Sequence, residues 1–157
     1  MGASLQMVNH GLSTGGLFLV VGMLYERRHS RNFSDYGGIA KIVPWISVFL
    51  VFIACSSMAV PGLNGFVGEF MILRGFFKVS PVLTGIAVTG VVFGAAYLLV
   101  FLRKVLFGPC VQPENRTLKD MTGMETAAAL ILVVWIVALG VAPKFLTSKM
   151  DKMISEF

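Results

Sequence analysis

The chain has 157 residues, of which 56% are hydrophobic and 13% are charged, and its mean hydropathy is +0.82. Soluble domains carry about 25% charged residues, so this composition excludes an ordinary soluble protein and indicates an integral membrane protein. The net charge of +5 comes from basic residues that lie near the ends of apolar segments rather than in one patch. That distribution is typical of membrane loops and argues against nucleic-acid binding.

Four stretches contain no Asp, Glu, Lys or Arg: residues 1–25, 42–68, 79–102 and 126–143. Each is close to the ~20 residues that cross the ~30 Å apolar core of a bilayer. We therefore predict an all-α membrane protein in which residues 1–157 form a single membrane region embedded in lipid. The predicted crossings are 4–25, 42–77, 80–102 and 126–145, the loops are 26–41 and 103–125, and the tail is 146–157.

The charges of the connections predict how the chain is oriented. Loops 26–41 and 103–125 carry more basic residues than the short turn after residue 74 and the tail. The positive-inside rule therefore places both loops on the cytoplasmic side. The tail has apolar residues at roughly helical spacing, which is typical of a short helix at the membrane surface.

The second crossing is too long to be one straight helix, because residues 42–77 would extend ~54 Å. Pro61 lacks a backbone N–H, and Gly62 and Gly65 remove side chains that would stiffen a helix. We predict a break at 61–65, with Asn64 capping the second half-helix. The two halves then make one discontinuous crossing.

Glu69 lies in the second half-helix, just after this break. A carboxylate at membrane depth costs about 2.5–3.5 kcal/mol on insertion scales, so such residues usually serve ion or proton transport. The positive end of the half-helix favours the ionised form, whereas removal from water favours the protonated form. We interpret Glu69 as a proton site; the alternative is a structural ion pair with Arg74 or with a neighbouring helix.

His10 is the other ionisable side chain in a charge-free stretch, and it shares a polar stripe with Gln6, Asn9, Ser13 and Thr14. Residue type alone leaves two readings open, a place in a proton path or a hydrogen bond between helices. The pairs Gly11 and Gly15, and Gly90 and Gly94, have the spacing that lets helix backbones approach closely, within this chain or against partners.

No metal, cofactor or catalytic residue is predicted on this chain. Cys55 and Cys110 are too far apart in sequence for metal-ligand spacing and do not form a disulfide framework. The glycines after Pro61 do not follow the G-x-G-x-x-G pattern of dinucleotide sites. A nucleophile with a neighbouring base is also missing from the sequence pattern.

Three blocks of sequence carry a resemblance to a known family: NHGLSTGGLFLVVGMLYERRHSR at 9–31, GGIAKIVPW at 37–45 and PGLNGFVGEFMILRGFF at 61–77. They closely resemble the C-terminal part of the subunit M family of bacterial NADH-quinone oxidoreductase, the counterpart of mitochondrial subunit 4. The resemblance runs through essentially the whole chain.

The resemblance implies an antiporter-like subunit of the membrane arm of complex I, in the cytoplasmic membrane of a bacterium. It implies that His10 lies in a proton path between helices and that Glu69 is the last group of this path before the proton is released. The chain would then act as a subunit of a proton-translocating NADH:quinone oxidoreductase, with other membrane-arm subunits as partners. NADH, flavin, iron–sulfur clusters and quinone would be bound by those partner subunits.

The chain departs from the family in length, because a complete subunit M is a larger bundle whose earlier helices supply a glutamate and buried lysines. We therefore expect a fragment of a larger antiporter-like bundle, or the second half of a split subunit. One alternative is a subunit of an Mrp-type cation/proton antiporter or of a membrane-bound hydrogenase. Another is a purely structural membrane protein.

Overall fold

Apolar segments with short polar connections fold into helices throughout the computed structural model, which describes residues 1–148 and contains no strand within them. The all-α prediction is confirmed for this part of the chain. The α-helices are α1 Gly2–Arg28, α2 Pro44–Ser57, α3 Asn64–Phe77, α4 Pro81–Leu106 and α5 Gly123–Val141, and the short 3-10 helices are Phe33–Asp35, Ile39–Lys41 and Pro113–Thr117. Residues 144–148 are also helical, and the rest of the predicted tail lies outside the described residues.

Three of these helices, α1, α4 and α5, are long and apolar enough to cross a membrane, and α2 is a shorter apolar helix. At 14 residues each, α2 and α3 extend only ~21 Å and neither can cross ~30 Å of hydrocarbon alone. Helices α1 and α4 continue through residues 26–28 and 103–106, which the sequence pattern assigns to loops. The charged residues indicate where a segment leaves the apolar layer of the membrane. The helix itself can extend beyond that point, because its backbone hydrogen bonds do not require an apolar surrounding.

The contacts of α1 show how α2 and α3 are related. Residues nearer the start of α1 contact residues later in the chain. From the end of α1 to its start, the contact pairs are Gly16 with Ile53, Ser13 with Ser56, Asn9 with Asn64, Gln6 with Glu69 and Gly2 with Ile72. Helices α2 and α3 therefore both run antiparallel to α1, and α3 continues in the direction of α2 after the linking residues 58–63. Together they form one discontinuous crossing.

The apolar core lies between α1, α2 and the end of α4, with Val20, Ile46, Leu50, Ile53 and Leu106 almost fully buried. In contrast, α4 leaves most of its length uncovered and exposes large apolar side chains such as Val82 and Phe93. In water such a surface would be a liability, whereas in a bilayer it is the surface that contacts lipid or other membrane helices.

The two longer loops meet at one end of the bundle, where Arg27 joins the end of α1 to the start of α5. Its guanidinium donates two hydrogen bonds to the Glu125 carboxylate, at 2.8 and 2.7 Å, and another to the Lys119 carbonyl at 2.7 Å. Glu125 also closes a capping box with Thr122. Bidentate pairs between arginine and a carboxylate are among the stronger polar contacts in proteins, so they fix the relative position of the two helix ends.

The same end holds the N-terminus of α2, which is capped by a residue far away in sequence. Asp120 accepts hydrogen bonds from the backbone N–H of Trp45 at 2.9 Å and of Ile46 at 3.0 Å. Two of the unpaired N–H groups of that helix start are thereby satisfied by a carboxylate, which the positive end of the helix also favours.

We expect Asp120→Ala to destabilise the folded protein by about 1 kcal/mol and to lower its melting temperature by about 2–4 °C, because it removes this cap. Thermal unfolding of the detergent-solubilised protein measures the change. Glu114→Ala is the matched control, since its ion pair with Arg28 is 3.6 Å long and its side chain is 60% exposed. An equal loss in the control would show that Asp120 has no special role.

Candidate functional site

The interruption of the second crossing occupies residues 58–63, between the end of α2 and the start of α3. Ala59 and Gly62 both have positive φ, at 55° and 93°. The left-handed conformation at Ala59 ends α2, and Pro61 has no N–H with which to continue a helix. A short turn, in which Leu63 N–H donates to the Val60 carbonyl, then leads into α3.

Of the four residues predicted to form the break, Pro61 and Gly62 lie within it, whereas Asn64 and Gly65 are the first two residues of α3. The prediction that Asn64 caps the second half-helix is wrong. The N-cap position is Leu63, without a side-chain cap, and the Asn64 side chain points to α1 and α2 instead. Gly65 serves a close approach rather than flexibility, because a Cβ there would overlap the Ser56 carbonyl oxygen.

Four buried polar side chains hold the interruption against α1, and we call them the polar clamp: Asn9, Ser13, Ser56 and Asn64. Asn9 Nδ2 donates to the Asn64 carbonyl at 2.7 Å, and Asn64 Nδ2 donates to the Asn9 carbonyl at 3.3 Å. Ser56 Oγ donates to Asn64 Oδ1 at 2.6 Å and lies 2.6 Å from Ser13 Oγ. Each of the four residues is at most 4% exposed. Most polar atoms of the clamp side chains are thereby bonded within the protein, as an apolar surrounding requires, whereas Asn9 Oδ1 has no hydrogen-bond partner among residues 1–148.

Glu69 lies one turn beyond the clamp on α3 and is partly buried. Gln6 Nε2 lies 3.5 Å from its Oε1 atom, which is the limit of a hydrogen bond. The ion pairs of residues 1–148 join Arg27 to Glu125 and Arg28 to Glu114, so the expected alternative pairing of Glu69 with Arg74 does not occur there.

Glu69 and His10 line the same cavity, which has a volume of about 580 Å³. One wall is the row Gln6, His10 and Thr14 on α1, and the opposite wall on α4 includes the small residues Ala87, Gly90 and Gly94. His10 is exposed to this space, and its Nε2 lies 3.2 Å from Thr14 Oγ1. The structure thus brings together the two ionisable residues that the sequence singles out.

The predicted close helix contacts at Gly11, Gly15, Gly90 and Gly94 are not formed within residues 1–148, since a Cβ at any of them would meet nothing within 4 Å. Close approaches occur instead at Gly16, Gly65, Gly68 and Gly140. The spacing of glycines in the sequence did not identify these four positions, because the need for a glycine depends on which helix packs against it. Gly140 is an example, since a Cβ there would collide with the backbone of residues 62–63 at the interruption.

Ser56 and Gly68 are site residues that the sequence reasoning missed. Ser56 interrupts the apolar run of α2, and Gly68 directly precedes Glu69. Both signals are visible in the sequence, but neither indicates which side chain of α1 would be opposite. Within residues 1–148, no three His, Cys, Asp or Glu side chains are grouped in a way that could hold a metal ion.

Residues 1–94 match the sequence profile described as "NADH:quinone oxidoreductase/Mrp antiporter, TM". The chain belongs to this family. The profile covers α1, the interrupted crossing and the first half of α4, which are the elements that build the cavity.

Members of the family with curated names show the same relationship along nearly the whole chain. NADH-quinone oxidoreductase subunit M of Rhodobacter capsulatus is 40% identical over 93% of this chain, and that of Escherichia coli K12 is 42% identical over 91%. The chain spans only 28% of the length of each of these relatives.

Two solved structures have the same fold as this chain. A chain of respiratory complex I from Thermus thermophilus with bound NADH matches 92% of this chain with a TM-score of 0.83 and 34% identity. A chain of the archaeal membrane-bound sulfane sulfur reductase matches 90% with a TM-score of 0.82 and 28% identity. The matched part is 30% of the first chain and 24% of the second.

We expect Gly65→Ala to destabilise the protein by about 1–3 kcal/mol, because the new methyl group would push α3 away from the Ser56 carbonyl. Gly75→Ala, in the same helix, is the matched control: its Cβ meets nothing within 4 Å, so the substitution is neutral or stabilising by up to about 1 kcal/mol. The melting temperatures of the two variants measure the difference. Equal effects would show that the close approach at Gly65 is unimportant.

Proposed function

We propose that this chain carries part of the proton path of a membrane-arm subunit of NADH:quinone oxidoreductase. The observation that carries the proposal is the cavity that contains both Glu69 and His10 beside an interrupted helix. Family membership and the similarity to subunit M support it. In this role the chain works as a subunit of a proton-translocating oxidoreductase.

Glu69 suits proton transfer because no basic side chain among residues 1–148 forms an ion pair with it. An ion pair with a basic side chain would hold the carboxylate ionised, and the ion pairs of residues 1–148 do not include Glu69. Its polar contact is the neutral amide of Gln6. We expect the cavity to admit water to the carboxyl group, while the helices around it keep the group partly out of bulk water.

His10 is the natural second group in this path. Gln6 and His10 are one helical turn apart on the same face of α1, so their Cβ atoms lie ~5–6 Å apart. We expect water to bridge the gap between the Gln6 and His10 side chains, for which the cavity has room. The path would lead from Glu69 past Gln6 to His10, which contacts Thr14.

We propose that the cofactors and the rest of the proton path lie on other parts of the oxidoreductase complex. Other membrane-arm subunits are the partners, and they or the peripheral subunits bind NADH, flavin, iron–sulfur clusters and quinone. The location is the bacterial cytoplasmic membrane, as the bacterial sources of the relatives suggest. The family also includes Mrp antiporters, but the relatives named subunit M favour the oxidoreductase.

We expect Glu69→Gln to lower proton pumping at least about tenfold in the assembled complex, because it removes a group that gains and loses a proton and keeps the side-chain size. Pumping is measured as acidification of membrane vesicles driven by NADH, beside the amount of assembled complex on a native gel. Glu114→Gln is the control, because Glu114 is an exposed glutamate outside the crossings. Normal pumping by Glu69→Gln would make Glu69 a structural residue.

We expect His10→Ala to lower the pumping rate more than His29→Ala, with assembly unchanged in both. His10 faces the cavity, whereas His29 follows the end of α1 and contacts the Tyr25 ring. The same vesicle assay compares the two variants, which remove the only two histidines of the chain. Equal pumping would leave His10 with the role of a hydrogen-bonding residue only.

A further inference from the structure

A groove between α1 and α4 lies at the end of the bundle that carries the connection from α1 to α2. Its deeper part is a cavity of about 180 Å³, and its outer part is a smaller cavity of about 40 Å³. Both parts are lined by the same four apolar side chains, so we treat them as one interhelical groove: Val21, Leu24, Phe33 and Phe101.

The deeper part of the interhelical groove is apolar and open on one side. The Tyr97 hydroxyl is the only polar side-chain atom on the residues that line it. Leu50 and Leu98 are buried at its base, whereas Phe33 and Tyr97 are 58% and 65% exposed. An apolar cavity of about 150 Å³ can stay dry and bind a hydrocarbon such as benzene, so this space suits an alkyl group better than water.

The outer part of the groove is polar, and it is lined by Ser30, Arg31 and Tyr36 beside the shared apolar residues. The Arg31 guanidinium lies over the Tyr25 ring, with its central carbon 4.8 Å from the ring centroid. The ion pairs and hydrogen bonds of residues 1–148 do not include this guanidinium. An aromatic ring therefore positions the cation and leaves its N–H groups free to donate to a ligand.

The charge around the outer part of the groove is mainly positive. Arg103 and Lys104 follow Phe101 on α4, and neither forms an ion pair in the described part of the chain. Asp35 is the only acid among residues 29–41, and its carboxylate already accepts a hydrogen bond within that connection. A negatively charged ligand is therefore complementary to this end of the groove.

An anionic phospholipid has its groups in the same order as the interhelical groove. Its phosphate lies at the membrane surface, and its acyl chains extend into the apolar core. Arginine can bind a phosphate through two parallel hydrogen bonds, and basic pockets between transmembrane helices bind the head groups of anionic lipids. A helix of another chain, about 10–12 Å in diameter, is too wide to enter the deeper part, whereas one acyl chain can enter it.

We infer that the interhelical groove binds an anionic phospholipid, with the lipid phosphate on Arg31 and one acyl chain in the apolar space between α1 and α4. The lipid would reinforce a contact that the protein makes through two rings, since Phe33 packs edge-on against Phe101 with 5.1 Å between the ring centroids. Neither Glu69 nor His10 lines this groove. The inference therefore goes beyond the proposed function and does not depend on it.

The test uses the assembled membrane complex that contains this chain, reconstituted in vesicles of phosphatidylethanolamine. The vesicles also contain a small amount of phosphatidylglycerol with a photoactivatable acyl chain, and mass spectrometry of peptides identifies the residues that it labels. We expect label on the residues that line the deeper part, within 17–24 of α1 or 97–101 of α4. Equal labelling there by phosphatidylethanolamine with the same acyl chain would overturn the assignment to an anionic lipid.

Two variants test the two parts of the groove. We expect Arg31→Gln to lower the labelling about fivefold, because a basic residue near the membrane surface strengthens the binding of an anionic lipid by about that factor. Val21→Trp fills the apolar space and is expected to lower the labelling at least as much. The controls are Arg116→Gln and Val134→Trp, which change an exposed arginine and an exposed valine outside the groove and should leave the labelling unchanged.

A cryo-EM map of the same complex gives a second readout that requires no variant. The expected result is an elongated density in the groove that ends in a phosphate peak about 2.7–3.2 Å from a nitrogen atom of Arg31. Protein density that fills the groove, or labelling that neither variant lowers below its control, would overturn the inference. Native gels show whether each variant assembles, and the labelling and the map of the unchanged complex decide the question if a variant does not.

The outcome for the lipid is independent of the outcome for the proton path. Labelling reports lipid binding, whereas Glu69→Gln is judged by pumping. Labelled groove residues in a complex that pumps normally with Glu69→Gln would support the lipid site and contradict the proposed function. Loss of pumping in Glu69→Gln together with an unlabelled groove would mean the reverse.

Discussion

Asn9 and Asn64 hold the interrupted crossing against α1 by two reciprocal hydrogen bonds, in which each amide donates to the backbone carbonyl of the other residue. A helix interrupted within a membrane bundle leaves backbone groups without partners in the helix itself, and these groups must be bonded elsewhere. Amide side chains meet that demand because each has two donor hydrogens and an acceptor oxygen. Ser56 and Ser13 extend the same bonding to α2 and to the next turn of α1, so both ends of the interruption are fixed to one helix.

The position of Glu69 follows from this clamp. Glu69 is on the same short helix as Asn64. By fixing Asn64, the clamp also fixes which residue of α1 the Glu69 carboxyl group contacts, and this residue is Gln6. Helix α5 supports the arrangement from the other side, where Gly140 lies against the backbone of residues 62–63. The short helix that carries Glu69 is therefore supported by α1, α2 and α5.

The sequence predicts those features that depend on local chemistry. Long apolar stretches, a proline followed by glycine, and a glutamate among apolar residues are sufficient to predict membrane helices, an interruption and a candidate proton site. The role of Asn64 could not be predicted in this way, because an asparagine at a helix start is a good cap in isolation. In the structure the Asn64 side chain contacts residues of α1 and α2 instead, and that choice depends on packing. The same reason explains Asp120, which caps a helix start that is 75 residues away along the chain.

The pairing of Arg27 with residues near the start of α5 has a consequence for how the chain is made. The contacts of the interrupted crossing with α1 described above involve residues up to 72, whereas Lys119 and Glu125 lie 92 and 98 residues after Arg27. Before residues 119–125 are made, the guanidinium has no carboxylate partner among those seen here, and basic charges next to an inserted helix help to retain a loop on the cytoplasmic side. Once Glu125 emerges, the charge is neutralised by the bidentate pair. With the predicted orientation, one side chain would act first as a topology signal during membrane insertion and later as the ion-pair partner that connects α1 to α5.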